Sequence, residues 1–160
     1  MGILKQTLEA VTGKIKDNCG AGQIIPFIDE SRVYEGPLRK DISGLENSFI
    51  HTAVNFKAEL NNGHKSNGKN FRTKVSMIIR LYDPKVYGNL DSESYGMHLS
   101  VVEQIHDVLM LDYENGKLYA PTIEEISHIN EQEGAMFISE FLYSVEVPQF
   151  NITAMRSSNL

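Results

Sequence analysis

The chain has 160 residues, of which 41% are hydrophobic and 22% are charged, and its formal net charge is −6. This composition is typical of one folded domain and excludes a wholly disordered chain, a collagen or a coiled coil. No apolar run approaches the roughly 18 residues that cross a bilayer, the charged N-terminus is unlike a signal peptide, and a single cysteine excludes a disulfide framework. We therefore expect a soluble, intracellular, non-membrane protein whose acidity disfavours nucleic acid as its main partner.

The first part of the chain predicts one helix followed by less regular structure. Residues 3–16 carry apolar residues at helical spacing, namely Leu4, Leu8, Val11 and Ile15. The run from Asn18 to Gly22 supplies glycines that end the helix. Residues 23–28 are a short apolar strand candidate. Residues 29–47 contain Pro37 and two glycines without a sustained period, so an ordered but irregular segment is expected there.

A long hairpin and a second helix follow. From position 50 to 60 the even residues are mainly apolar, with His51 on the polar face, and from 71 to 81 the odd residues are apolar. The ten polar residues 61–70 between these strands predict a long mobile loop. A helix is then expected from Asp91 or Ser92 to about Leu111, and its apolar stripe consists of Leu99, Val102, Ile105, Val108 and Leu109.

A second hairpin closes the predicted fold. Asn115-Gly116 is a tight-turn signal, residues 122–130 are strand-like, and residues 135–147 alternate with an apolar odd face formed by Phe137, Phe141, Tyr143, Val145 and Val147. The predicted class is α+β, an antiparallel sheet of about four main strands with two helices packed on one face. Residues 1–150 form a single domain, and residues 151–160 form a flexible or partner-bound tail.

The sequence contains no convincing catalytic constellation. Glu103 and His106 form one E-x-x-H, which is half of a di-metal motif and is more simply a solvated helix face. Glu124 and Glu125 are adjacent on a strand, so they should point to opposite faces and not work as a carboxylate pair. Cys19 has no base or basic residue beside it. We expect no catalytic residues, no metal site and no cofactor, and hence a protein that is not an enzyme.

The charges are instead separated along the chain. Residues 39–82 contain eight basic and three acidic side chains, whereas residues 103–146 contain ten acidic and one basic. Complementary hairpins of this kind favour head-to-tail association of copies, although strands adjacent in one sheet could simply neutralise each other. The basic loop with His64, Lys65 and Lys69 predicts at most non-specific contact with phosphates. The candidate inter-subunit or partner contacts are Lys57, Lys65, Lys69, Arg72, Lys74, Arg80, Glu124, Glu131, Glu133 and Glu140.

The pattern resembles the tail terminator proteins of long-tailed bacteriophages, which belong to the tail-completion and neck proteins. The residues that carry the resemblance are the opening amphipathic helix, the strand at residues 72–82, the helix at 96–111 and the closing segment at 131–147. The likeness is one of element order over roughly residues 1–150. No short diagnostic motif is included, and the irregular segment at 29–47 is long for the pattern.

The resemblance implies a structural virion protein that assembles in the host cytoplasm and resides in the tail or neck. Such proteins form a ring, here expected to be a hexamer, that caps the completed tail tube and offers the surface on which the head docks. The implied partners are the tail tube protein, the sheath protein in contractile tails and the head–tail connector protein, with DNA passing through the ring. Three alternatives stay open: a head–tail connector or stopper of the same neck, a non-catalytic α+β ligand-binding or regulatory module, and an enzyme whose site assembles only in space.

Overall fold

The structure of the protein, a computed structural model, describes residues 2–37, 47–55, 72–84, 92–113, 118–129 and 136–148. The predicted loop at 61–70, the turn at Asn115-Gly116 and the tail at 151–160 lie outside these ranges. No helix within them is long and apolar enough to span a membrane.

Helix α1 spans Ile3–Asp17, as its apolar stripe predicts. Val11 and Ile15 are fully buried. The helix ends at Asn18, whose backbone N–H donates to the carbonyls of the last turn. Gly20 follows with a φ of +107°, a conformation that favours glycine, so the predicted helix stop is confirmed.

The segment after α1 is a turn. The N–H of Ile25 donates to the carbonyl of Asn18 at 2.8 Å, and the N–H of Gly20 donates to the carbonyl of Ile25 at 3.0 Å. This leaves a single isolated bridge, and Pro26 has no N–H with which to continue a ladder. The prediction of a strand over residues 23–28 is therefore wrong.

A short strand lies in the stretch that was expected to be irregular. A 3-10 turn over Glu30–Arg32 leads into β1, Val33–Glu35, which pairs in parallel with β2, Phe49–Val54. The Arg32 guanidinium holds this connection because its Nε donates to the carbonyl of Ser48 at 2.9 Å. The sheet thus has one edge strand more than the sequence predicted.

Five strands form one sheet in the order β1-β2-β3-β5-β4. Strand β3 spans Arg72–Pro84, β4 spans Tyr119–Ile129 and β5 spans Met136–Pro148. The β2–β3, β3–β5 and β5–β4 pairs are antiparallel, and β1–β2 is parallel. The α+β class holds, with a mixed, mostly antiparallel sheet of five strands in place of the expected four.

The two longest strands alternate as predicted and give the sheet two distinct faces. We call the face with the odd-numbered residues of β3 and β5 the core face, and the opposite face, with their even-numbered residues, the outer face. The buried residues of the core face are Thr73, Val75, Met77, Ile79 and Leu81 in β3, and Ser139, Phe141, Tyr143, Val145 and Val147 in β5.

Strand β2 departs from this alternation because both of its faces are covered. Phe49 stacks on Tyr82 across the outer face with ring centroids 4.5 Å apart, and Tyr34 packs edge-on against Phe49. His51, expected on a solvated face, is consequently 3% exposed, and its Nε2 lies 3.2 Å from the carbonyl of Gly36. The predicted exposure of His51 is wrong for this reason.

Helix α2 spans Ser92–Leu109. Val102, Ile105 and Val108 of its predicted stripe are buried, whereas Leu99 is only half-buried. The buried apolar residues of α1 and α2 belong to one hydrophobic cluster, which also contains the buried apolar residues of the core face.

Candidate functional site

The outer face carries two ion pairs between strands, and the first of them joins neighbouring strands. Arg80 and Glu140 are directly opposite in the β3–β5 register, with Nε of Arg80 2.6 Å from Oε2 of Glu140. The same guanidinium donates to the hydroxyl of Tyr82 at 3.3 Å. Burial alone would lower the pKa of Arg80, but the hydrogen bonds to Tyr82 and Glu140 raise it above its ordinary value, so the guanidinium stays charged.

The second ion pair reaches across a whole strand. Lys74 of β3 pairs with Glu124 of β4 over the intervening β5, where Ser144 donates to the same carboxylate at 3.5 Å. A β-bulge between Ile123 and Glu125 interrupts the alternation of β4, and Glu125 then pairs with an outer-face residue of β5. The expectation that Glu124 and Glu125 point to opposite faces is therefore wrong.

The structure brings together four of the ten predicted contact residues, and it pairs them within one chain. Lys74 with Glu124 and Arg80 with Glu140 neutralise each other between strands of one sheet, which was the alternative to head-to-tail association; only the second of these pairs joins adjacent strands. The Arg72 backbone lies at the start of β3, opposite Pro148. The remaining residues lie outside the described ranges: Lys57, Lys65, Lys69, Glu131 and Glu133. A role of any of the ten between subunits stays a prediction.

A groove of about 740 Å³ opens at the outer face. Its apolar lining includes Ala53 of β2, Ile78 of β3 and Leu142 of β5, and the Arg80–Glu140 pair borders it. An apolar floor beside a charged rim is the composition of a surface that binds another protein segment or a small apolar ligand.

A chain of polar side chains lies at the core face beneath the N-terminal half of α2. Nδ1 of His98 is 3.4 Å from Oδ2 of Asp83, and Nε2 of His98 is 2.7 Å from Oγ of Ser139. The Ser139 hydroxyl is also 2.9 Å from Nδ1 of His128, whose Nε2 is 3.3 Å from the Tyr95 hydroxyl. We call these five residues the polar chain.

Asp83, His98 and Ser139 follow each other in the order of a catalytic triad, but the position of the serine argues for a structural role. Ser139 and His98 are both 0% exposed, so a substrate carbonyl does not reach the serine oxygen in this conformation. The same oxygen also contacts His128, a second imidazole that a triad does not require. The arrangement instead ties α2 to three strands of the sheet.

The sequence contained a signal for the polar chain that went unused. His98 lies four and seven residues before Val102 and Ile105, so it is a polar residue on the apolar stripe of α2. Ser139 likewise occupies an odd position of β5, between Phe137 and Phe141. A polar residue in a buried stripe needs a partner, and here each is the partner of the other.

A second polar contact joins the two helices. Nζ of Lys14 donates to the carbonyls of Leu109 and Leu111 at the end of α2, and it lies 3.8 Å from the centre of the Tyr113 ring. Burial lowers the pKa of Lys14 to about 8, and the nearby Asp112 carboxylate opposes this shift. Lys14 therefore caps the C-terminal end of α2, and the partial burial of its ammonium group costs desolvation free energy.

The other residues weighed for chemistry do not converge. Glu103 and His106 are exposed on α2, and Nδ1 of His106 is 3.4 Å from the carboxylate of its neighbour Asp107. Burial raises the pKa of the Cys19 thiol to about 11, which leaves little thiolate at neutral pH. Over the described ranges, no group of three or more histidine, cysteine, aspartate or glutamate side chains is arranged to hold a metal ion.

The chain was compared with protein-family models, curated proteins and solved structures. No protein-family model matches the chain, and no curated protein matches it. Among solved structures, a chain from the "Virion of native gene transfer agent (GTA) particle" is similar, with a TM-score of 0.49, 9% sequence identity and 91% of each chain covered. A likeness at this level carries no argument about function.

Proposed function

We propose that the chain is a structural virion protein, a tail terminator that forms a ring on the completed phage tail and presents the surface on which the head docks. The elements of the sequence resemblance occur in the expected order: α1, the antiparallel β2–β3 pair, α2 and the antiparallel β4–β5 pair. The solved chain to which this one is similar belongs to a virion particle, and the proposal is in keeping with that likeness without drawing support from it.

The outer face is the observation that carries the proposal. It bears a groove lined by Ala53, Ile78 and Leu142, and two ion pairs join strands on this face. Because buried apolar residues of both helices share one cluster with the core face, we take the outer face as the side of the sheet on which another protein can bind. We infer that this protein acts by binding, without a catalytic step.

Substitution within the groove tests the proposal directly. Leu142→Arg places a charge on the groove floor, and it should abolish binding to the tail tube protein or association between copies. Met97→Arg is the matched control because Met97 is 53% exposed on α2, in the other layer of the fold. Circular dichroism confirms folding of both variants. If Leu142→Arg binds the tail tube protein and associates with other copies as well as the unaltered chain does, the outer face is excluded as the functional surface.

A ligand-binding module is the second candidate, and the volume of the groove favours it. About 740 Å³ is within the range of small-molecule sites. A monomer that shows no affinity for tail proteins but is stabilised against heat by small apolar molecules would support this candidate. A ring would instead support a neck protein, and binding to the tail tube in the absence of the head connector would distinguish a terminator from a connector or stopper.

A further inference from the structure

The polar chain contains two imidazoles that compete for one hydroxyl. Ser139 lies 2.7 Å from Nε2 of His98 and 2.9 Å from Nδ1 of His128. A serine hydroxyl has one hydrogen to donate and two lone pairs with which to accept. The protonation state of one histidine therefore limits that of the other, although the two lie on different elements.

The Asp83 carboxylate sets the direction of the hydrogen bonds in the neutral chain. A lone pair on Nδ1 of His98 would be repelled by this carboxylate at 3.4 Å, so Nδ1 carries the hydrogen and Nε2 is the acceptor. Ser139 then donates to His98 and accepts from Nδ1 of His128. This leaves Nε2 of His128 as the acceptor for the Tyr95 hydroxyl. Each contact made by Ser139 and by Tyr95 then has one donor and one acceptor, whereas Nδ1 of His98 faces the Asp83 carboxylate without forming a hydrogen bond.

One additional proton fits this arrangement. When His128 is protonated, its Nε2–H donates to the oxygen of Tyr95, and the Tyr95 hydroxyl hydrogen turns towards solvent, which is possible because Tyr95 is 40% exposed. When His98 is protonated instead, the bonds through Ser139 reverse, and the cation lies beside Asp83. Both states keep a donor opposite an acceptor at every link.

A second proton does not fit. With both imidazoles protonated, Ser139 faces two N–H donors, and its hydroxyl hydrogen has no acceptor within the polar chain. Two cations then lie with ring centroids 6.0 Å apart, and Asp83 can balance only one of them. His98 is fully buried, so water does not screen this repulsion at its ring.

Among the described residues, the surroundings offer little to offset the second charge. Asp83 is the contribution of β3, and β5 adds Ser139 and the Phe137 ring, 5.3 Å from His98. Strand β4 contributes His128, and α2 itself contributes Tyr95. The α1 side chain that meets α2 through a charge, Lys14, does so at the opposite end of the helix. Arg80 and Glu140 lie on the outer face, on the other side of the sheet.

We propose that the polar chain is a proton-limited latch: it holds the N-terminal half of α2 on the sheet while it binds no more than one proton, and it releases that half when both histidines become protonated. The C-terminal half of α2 keeps its apolar anchors Val102, Ile105 and Val108 in either state. The consequence is a local opening of residues 94–100 in mild acid, with the sheet intact.

Hydrogen exchange tests the latch in the full chain. If release of the helix takes up one proton at an ordinary imidazole pKa near 6.5, exchange of residues 94–100, corrected for intrinsic rates, should rise about 25-fold from pH 7 to pH 5. Residues 102–108 should show no comparable rise.

Two substitutions complete the test. His128→Gln can still hydrogen-bond Ser139 but takes up no proton, so the acid-induced opening should disappear; His128 is exposed, and the change should be tolerated by the fold. His106→Gln on the same helix should leave the 25-fold rise unchanged. The latch is contradicted if residues 94–100 exchange independently of pH, or if His128→Gln opens as the unaltered chain does.

Discussion

Truncation of Phe141 is expected to be among the most damaging single changes to this fold. Phe141 is 0% exposed on the core face of β5, opposite Ile79 of β3 and Ile126 of β4. Phe141→Ala removes an aromatic ring from a hydrophobic cluster that also contains buried residues of α2. The substitution therefore leaves a cavity in the core. The expected loss is about 3–5 kcal/mol out of a typical total of about 5–15 kcal/mol, with a fall in Tm of roughly 6–20 °C.

Urea unfolding followed by far-ultraviolet circular dichroism measures this loss in a chain that has no tryptophan. Ile126→Ala is the matched control, because Ile126 faces Phe141 across the register but is 42% exposed. Its loss should be below about 1 kcal/mol. If the two variants lose equal stability, or if Phe141→Ala loses less than about 1 kcal/mol, the assignment of the core face is refuted.

Three further predictions concern polar groups. Tyr143→Phe removes a buried hydroxyl that donates to the Leu109 carbonyl at 2.7 Å and contacts the Tyr113 hydroxyl at 3.0 Å, and urea unfolding should show a loss of about 1–2 kcal/mol. The pKa of Lys14 is about 8 in the folded chain, below its ordinary 10.5. Between these two values the unfolded chain binds more protons than the folded chain, so stability should rise from pH 8 to 10. Lys14→Met should abolish this rise in stability. Above pH 10 the trend should reverse, because burial raises the pKa of Tyr113 to about 12 and opposes its ionisation. Replacement of both Arg72 and Lys74 by Glu should weaken association of copies if the charged strands form the interface, and high salt should have the same effect. Unchanged oligomer mass in this variant would exclude these strands as the interface. If the Lys74–Glu124 pair acts within one chain, the double exchange K74E with E124K should restore monomer stability.

The sequence predicted those elements whose periodicity extends over several residues. Strands β3 and β5 alternate over most of their length because one face packs against helices, and α1 carries a stripe of four apolar residues. Strand β1 has only three residues and is formed by pairing with β2, which lies further along the chain. No local sequence pattern therefore predicts it. The exposure of His51 was predicted wrongly because alternation does not show that a strand is covered on both faces.

The candidate sites depend on contacts that sequence spacing does not reveal. The polar chain joins residues of α2, β3, β4 and β5, and its links span up to 41 positions. Its detection required the rule that a polar residue in an apolar stripe needs a partner, applied to His98 and Ser139 together. The charge separation was visible in the sequence, but its meaning depends on strand order: β5 lies beside β3 and β4 lies beside β5, and this lets opposite charges meet within the chain.

The most direct test of the central claim is the mass of the purified protein in solution, measured by light scattering over a hundredfold dilution, with negative-stain imaging of the same sample. A ring-forming tail terminator should give a mass that is a fixed multiple of the chain mass, expected to be six, and images of closed rings with a central opening. A single-chain mass at every concentration, with no rings in the presence of tail tube protein, would contradict the claim.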